Sequence, residues 1–541
     1  MNSVLIAVGA GIILWLGYRW YGRVLARLWG MDPKNATPAV TMPDGVDYVP
    51  AKSRLVLFGH HFASIAGAGP VLGPVLACAL WGWGAGLAWI VLGSVFIGGV
   101  HDFSALMASL RHRGRSVGEV AEVVMGKRAK LIFCAFVWLA LVLVVAVFAA
   151  YAAEAMATEP RLVIPTFGLV AIAMLVGWLM YRRNTNVSAA TAVGILLLAA
   201  VIVLGYYVPV RPGPQAIKVW LVVLFIYCYL ASIMPVNILL QPRDYLSTYI
   251  LYAGMGFGVL GIFLTHPTVQ APAYVQWKAA QGPMWPMMFV IIACGAISGF
   301  HALVAGGTTS KQLANEGDAL RIGYGGMIVE GGMAVVALMA VAAGLKWHGA
   351  VDAFPAVLKA RGPIVAFGQG YGRLVEPIFG RGLGALIAIT TLNAFIMTTL
   401  DTATRIGRYI GEELFGQGLG IAPMRNRYIS TAVLVGFAGY LAAGPYKAIW
   451  PVFGAANQLV AALVLITVAL LLREWGKKSR YAAWPAVFMF VTTVGALIYQ
   501  GQQFLLGKQY LLAGIAGCLV VLALFMAVEA VRALARPAKG Q

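Results

Sequence analysis

Four of the seven histidines in this 541-residue chain lie inside long apolar stretches: His60, His61, His101 and His301. Ionisable groups are costly in such surroundings and mark a transport pathway or a proton relay. Asp102 follows His101 directly. An unpaired carboxylate in an apolar setting is protonated at neutral pH, whereas a histidine or other cation beside it keeps it charged. Histidine titrates close to physiological pH, so a His–Asp group can take up and release a proton. His61, His101, Asp102 and His301 are read as the proton-handling set, with His60 beside them. Glu330 and Asp401 are two further carboxylates in apolar stretches. Asp401 shares its stretch with Thr390, Thr391, Asn393, Thr398, Thr399 and Thr402, a polar lining that must look away from lipid. Thr308 and Thr309 end another stretch, where their hydroxyls either line a cation site or cap the helix.

A second kind of chemistry comes from backbone. Ala66-Gly67-Ala68-Gly69, followed by Pro70 and Val71, should unwind a helix near mid-membrane, with Pro70 in the first turn of the half-helix that follows. Free N–H groups and the helix dipole then suit a carboxylate; close helix packing is the structural alternative. A further interruption at 231–237, broken at Pro235, contributes Ser232 and Asn237, flanked by Tyr227 and Tyr229, as candidate substrate contacts. The histidines admit two other readings. They can hydrogen-bond across helices and stabilise the bundle, or His60, His61, His101 and His301 can hold a divalent metal. No fixed-spacing motif such as HExxH supports the metal. Two adjacent histidines point to different helix faces, which disfavours a bis-histidine haem. No resident cofactor is expected beyond a coupling proton or sodium ion.

These residues must be held by membrane helices. The chain is 61% hydrophobic and 11% charged, with a mean hydropathy of +0.84, whereas soluble domains carry about 25% charged residues. No water-soluble fold hides that much apolar surface, so a cytosolic enzyme or nucleic-acid binder is excluded. The net charge of +20, from 39 basic against 19 acidic residues, reads as basic loops held in the cytoplasm. Cys78, Cys134, Cys228, Cys294 and Cys518 each lie in apolar runs and read as small buried hydrophobes.

Apolar runs between polar breaks predict about 15 spans: 4–16, 55–81, 87–110, 131–153, 162–181, 189–208, 219–240, 245–265, 287–309, 324–345, 383–404, 428–441, 449–472, 484–499 and 511–531. The first lacks the marks of a cleaved signal peptide and is expected to be retained, its start outside and Arg19, Arg23 and Arg27 inside. Alternation from there puts roughly 28 of the 39 basic residues in the cytoplasm, and the C-terminus with them. It also puts the four histidines about 8–15 Å from the cytoplasmic helix ends, on three helices. Two long external loops, 266–286 and 346–381, should fold over the outer mouth. The second to eleventh spans form two sets of five starting on opposite sides, as an inverted repeat requires, and the first member of each set is interrupted. The expected organisation is an extra helix and loop at 1–54, one five-helix repeat at 55–208, its inverted partner at 217–404, and additional helices at 405–541.

Several long segments resemble the carbon starvation protein CstA family of bacterial transporters. They are GHHFASIAGAGPVLGPVLA at 59–77, GGVHDF at 98–103, SGFHALVAGGTTSKQL at 298–313, TTLDTATRIGRY at 398–409 and FGAANQL at 453–459. The resemblance implies an all-α polytopic membrane protein with a LeuT-like five-plus-five fold, in the bacterial inner membrane. It implies cation-gradient-driven uptake of pyruvate or short peptides, not enzymatic catalysis. Both substrates carry a carboxylate that the half-helix at 67–71 suits. The expected partners are thus a small anionic substrate and the lipid bilayer, with no nucleic acid; the oligomeric state stays open. A metal- or haem-containing membrane enzyme built on the histidines is the alternative.

Overall fold

The computed structural model describes residues 2–45, 48–51, 53–181, 183, 185–234, 239–349, 352–444 and 446–535. It is predominantly helical, and among the described residues 12 helices are long and apolar enough to cross a membrane, or 13 with one bent pair counted as a span. The chain is a multi-pass membrane protein. The expected count of 15 is not reached. The 428–441 run is a 16-residue helix, Arg427–Ala442, below spanning length. The 287–309 run is divided into two short helices. The first span is longer than expected, Ser3–Trp29, because Arg19, Arg23 and Arg27 continue the helix rather than ending it.

The bent pair comprises α1 (Arg54–Ile65) and α2 (Gly69–Trp81), which meet at 45° across residues 66–68. The sequence forces the bend locally. Glycine costs about 1 kcal/mol in a helix interior, and Pro70 removes a backbone donor and excludes the turn before it. The next span carries a π-helical turn, Ser94–Gly98, before α3 (Gly99–Arg111). Then comes α4 (Lys127–Thr158), whose 32 residues reach about 48 Å, more than a bilayer's hydrocarbon thickness.

After two further spans come α5 (Ala216–Ile233) and α6 (Leu240–Thr265), and then the divided run, α7 (Met284–Ile291) and α8 (Gly299–Gly307). A second π-helical turn, Leu320–Tyr324, leads into α9 (Gly325–Ala342). The 346–381 segment, expected as an external loop, holds α10 (Phe354–Leu374), bent at Gly362 and buried along much of its length. Its apolar run from Ile364 to Phe367 explains this: such a segment packs against α11 (Arg381–Gly411) and α2 instead of standing in water. Helix α11 packs along α4, and α12 (Tyr446–Glu474) is buried among the other helices along most of its length. The 266–286 segment closes over one end of α2 and α9: Val275 donates to the Trp81 carbonyl, and Gln270 to that of Ala342. Four of the five cysteines are buried; Cys518, expected to be so, is exposed on the helix Tyr510–Ala535.

Candidate functional site

The break at 66–68 does not stand alone. Residues 292–298, between α7 and α8, form a second break packed directly against it. A Cβ at position 69 would stand 2.6 Å from Cys294 Cβ and Sγ, and one at 295 would stand 3.3 Å from Pro70 Cα. Only glycine permits this approach, and Gly69→Ala is expected to cost about 1–3 kcal/mol through overpacking. A lower melting temperature of the purified variant in detergent, with weaker uptake, would show it. Ala66, Gly67, Ala68, Gly69, Pro70 and Val71 are all buried at this junction, with Pro70 in the first turn of α2 as its type requires. At the open end of α2 Pro70 carries no N–H, and Val71 and Leu72 donate to the Ala68 carbonyl (3.1 and 2.9 Å), leaving the N–H groups of Ala68 and Gly69 to be offered at this end.

A break inside a membrane frees backbone groups that lipid cannot satisfy. Asn457 and Gln458 of α12 satisfy those at 292–298. Gln458 Nε2 donates to the carbonyls of Phe289 (2.7 Å) and Ile292 (3.2 Å), the loose end of α7. Asn457 Oδ1 accepts from Phe300 N–H at the start of α8 (3.0 Å), while its Nδ2 donates to Ser298 Oγ (3.0 Å). Removing Asn457 leaves a buried N–H unmet, so Asn457→Ala should destabilise the protein by about 1–3 kcal/mol. Asn457→Asp, which retains the acceptor for Phe300, should lose less in the same thermal melt.

Four titratable side chains run from the α3 face of this junction to α9. His101 Nδ1 and His301 Nδ1 each lie 2.7 Å from Asp102, one on each carboxylate oxygen. His301 Nε2 lies 3.2 Å from Glu330 Oε2. All four side chains are fully buried. An ionised carboxylate only accepts, so both histidines present Nδ1–H to Asp102, and the far nitrogen of His301 faces Glu330. One proton can be passed along this chain without any group leaving its place. His61 is also buried and contacts Thr309 Oγ1 at 2.8 Å, joining α1 to the segment after α8. Thr308 only caps its own helix, through the Val304 carbonyl.

The other polar candidates gather elsewhere. Asp401 of α11 pairs with fully buried Arg243 of α6 and accepts from Tyr227 Oη at 2.8 Å. Arg243 also donates to Tyr227 Oη (2.5 Å) and Asp244 (3.1 Å), and His60 Nδ1 lies 3.8 Å from Asp244. Arg243 and Asp244 were not among the expected site residues. They sit in the polar gap between the runs 219–240 and 245–265, which sequence reading takes for a loop.

Two expected sets lie apart from this junction. The interruption expected at 231–237 does end a helix: α5 stops at Ile233, and Arg405 donates to the carbonyls of Ala231 and Met234, capping that end. Ser232 contacts Thr431 Oγ1 at 3.3 Å instead of the first break. Asn237, with Pro235 and Val236, lies outside the described residues. The expected metal set also does not converge: His60 faces Asp244, His61 faces Thr309 and His101 faces Asp102. Only His301 of the four belongs to a metal-competent group among the described residues.

A family model described as carbon starvation protein CstA matches residues 2–360 and 348–496. This chain belongs to the CstA family. The pyruvate/proton symporter BtsT of Escherichia coli (strain K12) is 32% identical, over 92% of this chain and 81% of that protein. The peptide transporter CstA of the same strain is also 32% identical with the same coverage. A solved manganese transporter of Eremococcus coleocola aligns over 91% of this chain and 99% of that one, at 13% identity and a TM-score of 0.48, a likeness too slight to bear on the fold. As a CstA-family member the chain is a membrane transporter and not an enzyme. The five CstA-like segments all reach the two clusters: they supply the first break, His101–Asp102, His301 with Thr309, Asp401, and Asn457–Gln458.

Proposed function

We propose that this transporter imports a small carboxylate nutrient, pyruvate or a short peptide, by proton-coupled alternating access in the bacterial inner membrane. One observation carries the reading: two interrupted helices meet at their breaks beside a fully buried His101–Asp102–His301–Glu330 chain. The open end of α2 offers N–H groups and a positive dipole end to a carboxylate. A small, mostly apolar pocket begins beside Val71 and is lined by Met255, Met333, Phe367, Tyr371 and Phe395. It marks where the rest of the substrate would lie once these side chains give way. His61 and His101 assist Asp102 and His301 in handling the proton, with the Thr308–Thr309 segment as the cation site should sodium drive transport instead. No resident cofactor is part of this reading.

The interrupted pair also suggests where the inverted repeat lies. A break, a π-helical turn and then a helix of 31 or 32 residues follow one another twice, at 66–68, Ser94–Gly98 and Lys127–Thr158, and at 292–298, Leu320–Tyr324 and Arg381–Gly411. We therefore move the second repeat from 217–404 to one beginning at α7, with α5 and α6 inserted between the repeats. The N-terminal start outside and the C-terminus in the cytoplasm remain the preferred orientation.

Proteoliposomes with an imposed inward proton gradient test the function. Labelled pyruvate or a labelled dipeptide should accumulate above its equilibrium distribution and discharge when the gradient is collapsed. Uptake that stops at equilibrium would make the protein a passive channel.

A further inference from the structure

Cys294, His301 and Glu330 bring a thiol, an imidazole and a carboxylate together at the junction of the two breaks. One donor atom from each lies within 4.8 Å of the other two, and all three residues are buried. This is a ligand set that borderline-soft divalent ions such as Zn²⁺ and Co²⁺ accept. The surroundings are arranged as metal sites require. His301 gives its Nδ1–H to Asp102, a carboxylate–histidine pair that fixes the ring and turns the Nε2 lone pair toward Glu330. His101 in turn holds the other oxygen of Asp102. Asn457 Nδ2 donates to Cys294 Sγ at 3.6 Å and so helps to hold the sulfur in place. Both Glu330 carboxylate oxygens lack a hydrogen-bond partner among the described residues, and so does His301 Nε2.

The His301–Glu330 separation supports the same conclusion. Two lone-pair donors 3.2 Å apart repel unless something positive lies between them. A proton can do so. A tetrahedral metal can too, since bonds of about 2.0–2.2 Å place its nitrogen and oxygen ligands about 3.3 Å apart.

We propose that Cys294, His301 and Glu330 form a binding site for one Zn²⁺-class ion. The site does not rest on the proton-coupled reading above, because Cys294 ligates the metal but is no member of the His101–Asp102–His301–Glu330 chain.

Purified, EDTA-washed protein titrated with Co²⁺ tests the site. We expect one saturable equivalent with thiolate-to-cobalt charge-transfer absorption, displaced by Zn²⁺ and weakening as pH falls, because the ligands must be deprotonated. Cys294→Ala should abolish the charge-transfer band. Glu330→Gln should keep the band but weaken binding by at least the roughly 10–100-fold that loss of an outer-shell partner costs. Thermal melts matching the wild type exclude misfolding as the cause. The site is overturned if the wild type shows no saturable binding, or if Cys294→Ala retains the band.

Discussion

Asp102→Asn is expected to lower proton-gradient-driven accumulation by on the order of 100-fold or more, the scale lost when a positioned proton carrier is removed. Asp102 joins the two histidines, accepting from His101 and His301 at 2.7 Å each. Asparagine preserves its volume but supplies one acceptor and one donor. One histidine must then accept through Nδ1 and present its proton at the far nitrogen, so the order of donors along the chain breaks. Substrate exchange without a gradient depends on the α2 end and the cavity, and should persist in the variant. Counterflow of labelled against unlabelled pyruvate measures it. A variant that keeps exchange but loses uphill accumulation assigns Asp102 to coupling; full accumulation in the variant removes it from that role.

Arg243→Met is expected to have the largest effect on stability. Arg243 is fully buried and faces Asp401 and Asp244 with no second cation in the trio. Removing one partner of a buried pair costs about 3–5 kcal/mol, because the remaining charge has lost both water and partner. Here two carboxylates are stranded on α6 and α11, which also anchor Tyr227 of α5. The single variant should melt far below the wild type in detergent or fail to be recovered. Arg243→Met combined with Asp401→Asn should recover part of that loss, since it neutralises one stranded charge. Equal melting of the single variant and wild type would show that the pair contributes little. A double variant no better than the single would show that Asp401 is not the stranded partner.

Membrane class and most of the first site were legible because their signals are local. Gly67, Gly69 and Pro70 bend α1 into α2 by their own backbone preferences, and intramembrane histidines announce themselves by cost. The second break was not legible for the opposite reason. Residues 292–298 contain no proline and a single glycine. Their non-helical path is held by Asn457 and Gln458, more than 150 positions along the chain. The visible interruption at 231–237 attracted the assignment instead, although Arg405 caps the helix that ends there. Arg243 and Asp244 were missed because a polar pair between apolar runs reads as a loop; their burial depends on Asp401, again distant in sequence. Cys294 read as a small hydrophobe, and only the packing of its segment under Gly69 and beside His301 gives it a chemical setting.

The most direct measurement is a cryo-electron microscopy map of the protein with saturating transported pyruvate or dipeptide. The account predicts substrate density where 66–70 and 292–298 meet, with its carboxylate within hydrogen-bonding reach of the N–H groups opening α2. A continuous helix through 54–81, or ligand density remote from that junction, would contradict it.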